Sequence, residues 1–298
     1  MSHRGHQLSA AFGQSAPAAL ACDSRRIPGL ATITPFTTNR VYGTCAKTGV
    51  FGVTAPGSVI SAAVARAIGM LDNTIGELVN ARSGVCAGRP PAWPLLGDVT
   101  ADWLKNRLGV CIDDIRVWTA GTFVNGAVAE VIRRLTRVRN LIASNGVTYV
   151  CSGPLCSPGD WAYVLIDPTC KATPASLIRL CHDFWVAGPG VSAGDHAEFQ
   201  AQTIIHEASH LYHCTADARG TSIGVAECLA QFVAATNGSP IDPNFATRCA
   251  VTNRCGAAAA PSGTSGFGAA APGRSLILKT AFRPQNAIRL KGRPAARR

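Results

Sequence analysis

The chain has 298 residues, 47% hydrophobic and only 15% charged, enough apolar material for one large domain or two small ones and too little charge for a mostly disordered protein. Its net charge of +11 suggests a nucleic-acid partner until it is mapped: residues 256–298 hold eight Lys or Arg and no Asp or Glu, leaving +3 for residues 1–255. The basic character is therefore that of a tail suited to acidic surfaces, and no nucleic acid is expected for the core. No uncharged apolar run approaches the ~20 residues that a transmembrane helix needs.

Twelve cysteines, an even number without any C-x-x-C pair, disfavour a zinc ribbon and favour disulfides in an oxidising compartment, so a secreted or extracytoplasmic protein is expected. Residues 9–22 are small and mildly apolar and end Ala19-Leu20-Ala21-Cys22, but Gly13, Gln14 and Ser15 interrupt them, a poor match to an export signal.

Residues 1–56, rich in Gly, Ala, Ser and Thr, read as an extended arm with a short strand or two. Residues 58–81 read as a helix: Ile60, Val64, Ile68, Leu71, Ile75 and Leu78 recur every three or four positions, and Ser58 is a candidate N-cap. Asp98 to Leu108 reads as a short helix with Trp103 and Leu104 on its apolar side. Residues 122–144 read as a second long helix with Val124, Val128, Val131, Leu135, Val138 and Ile142 inward. Arg133, Arg134, Arg137 and Arg139 fall off that stripe and read as a solvated basic face. After the break at Asn145-Gly146, Val147 to Cys151 and Trp161 to Ile166 read as strands, and Leu177 to Trp185 as a third extended segment. Another helix covers Gly224 to Thr236, with Val225, Leu229 and Phe232 inward, and the segment to Cys255 is loop-like. Residues 256–298 are Ala/Gly/Pro-rich, then basic, and read as mostly disordered. Two long helices, short strands and further helices give an α+β order.

The chemistry concentrates in Ile204-Ile205-His206-Glu207-Ala208-Ser209-His210-Leu211, which contains H-E-x-x-H. Two histidines four apart on a helix project from one face, so both imidazoles reach one metal. Glu207 stands where a carboxylate can take a proton from water beside that metal. Neutral imidazoles suit one zinc ion, and a catalytic zinc takes three protein ligands and a water. Downstream candidates for the third ligand are His213, Cys214, Asp217 and Glu227. His213 is displaced around the helix from the pair, Cys214 suits a disulfide, Asp217 follows a turn that can fold back toward the metal, and Glu227 lies on the next helix.

Several of these stretches together resemble a known family. Tyr149-Val150-Cys151, Cys156, Trp161-Ala162-Tyr163-Val164, Leu180-Cys181-His182-Asp183-Phe184-Trp185 and Gln202 to Leu211 are similar to segments of the aspzincin metallopeptidases, the deuterolysin and peptidyl-lysine metalloendopeptidase family. The resemblance covers roughly residues 57 to 255. It implies a zincin-like α+β metallopeptidase domain with an active-site HExxH helix and a small mixed sheet, stapled by disulfides. It leaves 1–56 as an arm and 256–298 as a tail. It implies a zinc-dependent endopeptidase acting on proteins or peptides, with His206, His210 and Asp217 on the metal and Glu207 as general base. Asp217 corresponds to the acid of the family's G-T-x-D-x-x-Y-G, here Cys214-Thr215-Ala216-Asp217-Ala218-Arg219-Gly220-Thr221. The family's Tyr is Gly220, so an oxyanion donor must come from elsewhere, with Arg219, Tyr212 and His213 as candidates. Lysine-specific relatives carry acids after the catalytic helices, and the nearest counterpart here is Asp242. Two alternatives stay open: a gluzincin-type site with Glu227 as third ligand, and an inactive disulfide-rich binding module with a degenerate metal site.

Overall fold

The computed structural model describes residues 22–23, 26–43, 52–89, 95–151, 155–165, 177–213, 215, 224–241, 249 and 255. The C-terminal tail, Asp217 and Asp242 lie outside them.

The first long helix, α1 (Pro56–Cys86), buries Ile60, Val64, Ile68, Leu71, Ile75 and Leu78, as the sequence spacing predicts. Its start differs. Pro56 occupies the first turn, where its fixed φ suits a helix and its missing N–H costs nothing, so Ala55 is the N-cap and Ser58 lies inside the helix. α2 (Asp98–Asn106) buries Trp103 and Leu104. α3 (Ile115–Thr119) is one turn long, too short to show a period, and begins where the Asp114 carboxylate accepts from the Arg116 N–H. α4 (Val128–Ala143) starts later than residue 122, because Phe123 and Gly126 both take positive φ, 73° and 79°.

The arginines of α4 do not form a solvated face. Arg133 and Arg139 are buried, each with a carboxylate: Arg133 and Arg134 clasp Glu130, at 2.5 and 2.7 Å, and Arg139 reaches Asp72 of α1 at 2.8 Å. A buried guanidinium requires such a partner.

The sheet has the order β1-β2-β4-β3, from β1 (Val41–Gly43), β2 (Thr148–Cys151), β3 (Ala162–Val164) and β4 (Leu177–Leu180). β1 and β4 flank β2 in parallel, and β3 runs antiparallel on the outer edge of β4. β2 and β4 alternate buried with half-buried residues, and β3 is buried throughout. The third extended segment ends early. Cys181 is tied to Cys156, its N–H donates to the Trp161 carbonyl, and the chain turns into the single-turn helix α5 (His182–Trp185).

The remaining helices are α6 (Ala193–His213) and α7 (Ala226–Thr236). α6 is the axle: it packs on α1, α4 and α7 and rests on β3 and β4. α7 is buried from Ala226 to Ala235, and Asn237-Gly238 ends it, Gly238 taking φ +66°. Phe199, Ile204, Ile205, Ala208, Leu229, Phe232 and Val233 lock the pair, each large side chain contributing about 1.5–3 kcal/mol when fully buried. The result is a mixed α+β fold.

Disulfides join Cys22 to Cys86, Cys111 to Cys255, Cys156 to Cys181 and Cys228 to Cys249, and no described cysteine is free. They point to an oxidising environment. Residues 26–37 pass α4 without regular secondary structure, and a 3-10 turn at Thr38–Arg40 leads into β1. Asn140 and Asn145 hold the main chain at Gly29, Ala31 and Pro35, and Arg139 donates to the Ala31 carbonyl. Among the described residues, no helix is long and apolar enough to cross a membrane.

Candidate metal centre

α6 begins where the Ser192 hydroxyl accepts from the Asp195 N–H. It then runs twenty-one residues without Gly after Gly194 and without Pro. Its polar residues are satisfied locally: Thr203 and Ser209 donate to the carbonyls of Phe199 and Ile205, and Gln202 reaches the Pro240 carbonyl. Ile204, Ile205 and Ala208 face the core, and His206, Glu207 and His210 are equally buried, at 1%, 0% and 0% exposure.

The two imidazoles converge, with His206 Nε2 and His210 Nε2 2.9 Å apart. Their outer nitrogens are each engaged. His210 Nδ1 lies 2.5 Å from the Thr215 carbonyl oxygen. His206 Nδ1 lies 3.0 Å from Glu227 Oε2 on α7. A carbonyl only accepts, so the Thr215 contact favours the proton on His210 Nδ1 and turns the Nε2 lone pair inward, while Glu227 stands at ion-pair distance behind His206. Two Nε2 atoms this close can share one metal ion. Metal-bound histidines are oriented in this way, the outer N–H given to a carboxylate or carbonyl. Glu207 Oε1 stands 3.9 Å from His206 Nε2, on the inner side of the pair. The donor set fits zinc, which favours neutral imidazole with an oxygen ligand and water.

The structure thus brings His206, His210, Glu207 and Glu227 together, whereas Asp217, Cys214, Arg219 and Asp242 lie outside the described residues. Among the described residues, no three His, Cys, Asp or Glu side chains gather as a metal-holding group. Tyr212 and His213 turn toward α4: Tyr212 packs under Arg137, and His213 Nε2 donates to the Arg134 carbonyl at 3.1 Å. Burial pushes the His213 imidazole down to about 4, so it is neutral at pH 7. The Thr215 carbonyl is the contact that sequence reading missed. A main-chain oxygen leaves no mark on residue type.

A buried helix thus brings paired imidazoles and a carboxylate together over a small mixed sheet. Residues 119–237, less than half of the chain, match the aspzincin family model, described as lysine-specific metallo-endopeptidase. No curated protein matches the sequence. The family is one of zinc-dependent endopeptidases, whose substrates are proteins or peptides.

Proposed function

We propose that this chain is a zinc endopeptidase that works outside the cytoplasm, with residues 57–255 as its peptidase unit. The 2.9 Å approach of two imidazole nitrogens, each backed by an acceptor on its far side, carries the reading. His206 and His210 hold the metal, and Asp217 supplies the third ligand, a hard carboxylate oxygen that offsets one metal charge. Zinc, when bound, lowers the pKa of water to near neutrality and polarises a carbonyl.

The protein's own steps follow from placement. The Glu207 carboxylate, beside His206 Nε2, accepts a proton from the attacking water and delivers it to the departing amine nitrogen. Glu227 and the Thr215 carbonyl stand behind the two rings, orient each Nε2 toward the metal and raise its basicity as a ligand. That contact also supports Glu227 as an outer partner over the gluzincin alternative, because a ligating carboxylate belongs on the Nε2 side.

The test is metal content by mass spectrometry together with digestion of a denatured protein. One zinc per chain and chelator-sensitive cleavage are expected. A folded protein that binds zinc but cuts nothing is instead the inactive binding module.

A further inference from the structure

One side-chain cluster on α4 and α6 is unused by the metal centre. Phe123 is 60% exposed although its φ of 73° is a conformation that non-glycine residues rarely adopt. It is held there: its N–H donates to Glu130 Oε2 at 2.9 Å, and the Arg133 guanidinium lies 4.5 Å from its ring centre. The Arg137 guanidinium stands between two rings, 5.9 Å from the centre of Phe123 and 5.4 Å from that of Tyr212. Tyr212 is itself 39% exposed and meets the His213 ring edge to face. Two residues beyond His210, it leaves α6 about 200° around the axis from that imidazole.

Charge is unbalanced here. Glu130 is the carboxylate of the cluster, and it is taken by Arg133, Arg134 and the Phe123 N–H. Among the described residues no carboxylate pairs with Arg137. A ring contact restrains a guanidinium while leaving its in-plane N–H donors available.

We propose that Phe123, Arg137 and Tyr212 form a docking site for an acidic peptide segment, Arg137 receiving an Asp or Glu carboxylate and Phe123 packing on the apolar side chain beside it. A guanidinium already fixed between rings gives up little freedom on binding, and a Phe held outward in an unfavourable conformation is preorganised contact area. The chain's own basic tail, with no acidic residue, has the wrong charge to be the occupant. A nucleic-acid strand needs a track of cations and stacking rings, whereas one uncommitted guanidinium serves one carboxylate. The site does not depend on the metal centre.

The test uses the full chain with chelator present, so that no peptide is cut, and reads fluorescence anisotropy. The probes are a labelled peptide of mixed Leu and Glu, its Gln-for-Glu counterpart and a labelled oligothymidine. Binding of the Leu/Glu peptide, about tenfold weaker for the Gln counterpart, is expected, since a pairing guanidinium at an interface commonly carries that much. Arg137→Ala and Phe123→Gly should each weaken it about fivefold or more with the circular dichroism melt intact. Arg137→Gln repeats the reading should Arg137→Ala fail to fold. No binding of the Leu/Glu peptide, equal binding of the two peptides, or full binding by the Arg137 variants overturns the proposal. So does oligothymidine binding as tightly as the peptide through Arg137.

Discussion

Glu227 Oε2 lies 3.0 Å from His206 Nδ1, on the ring edge turned away from His210. That position separates two roles for a carboxylate near a metal. A ligand would share the Nε2 side, and an outer partner holds the ring from behind. Glu227→Gln should therefore weaken zinc affinity by only about 10–100-fold. Asp217→Ala should abolish tight binding. Zinc titration of both variants decides between them. Normal affinity in Asp217→Ala with loss in Glu227→Gln would turn the site into a gluzincin type.

Glu207 has a different signature. Replaced by Gln it keeps its shape and loses its basicity, so peptide hydrolysis should fall on the order of 10²-fold or more with zinc content unchanged. Full activity in Glu207→Gln removes it from the mechanism.

Much of this was legible in advance, and the exceptions have physical causes. α1, α4, α6 and α7 are long enough for an apolar period to outvote local noise, and the H-E-x-x-H spacing alone puts both imidazoles on one face. The start of α4 was misplaced because Val124 continues the period while Phe123 and Gly126 break the backbone, which no period records. The arginine face was misread because Arg139 finds its carboxylate on α1, sixty-seven residues away in sequence. Periodicity describes one helix and says nothing about what another brings to it.

Glu130 predicts an acid-labile fold. Burial alone would raise its carboxyl, but hydrogen bonds from Arg133, Arg134 and the Phe123 N–H outweigh it and hold the value near 2. The lowered value means that folding favours the charged form. Its contribution is complete above the unfolded value of about 4.3 and vanishes as pH falls through about 2. The full effect is on the order of 3 kcal/mol. Glu130→Gln should lower the melting temperature strongly at pH 7, with a gap to the parent that narrows toward pH 2. A gap independent of pH would show that the pair adds nothing through ionisation.

The cysteines give a redox prediction. Titration of denatured, unreduced protein should find few free thiols. Replacing Cys22 and Cys86 together by Ser should cost about 2–4 kcal/mol while leaving the fold in place, since Asn140, Asn145 and Arg139 still hold the main chain at Gly29, Ala31 and Pro35. Nearly twelve free thiols would place the protein in a reducing compartment.

Specificity is testable by mass mapping of cut sites. An acidic pocket attracts Lys, so a preference for a basic residue after the scissile bond is expected, with Asp242→Asn reducing it. An even spread of cut sites would remove Asp242 from that role.

The pairing of β1 with β2 has a consequence for synthesis. The strand at Val41–Gly43 leaves the ribosome roughly a hundred residues before Thr148–Cys151, its first hydrogen-bonding neighbour. Cys111 likewise waits through a further 144 positions for Cys255. The β1 edge and the Cys111–Cys255 bridge can therefore close only after the later segments have been made. Until then an unpaired edge strand and open thiols are exposed to any other chain nearby.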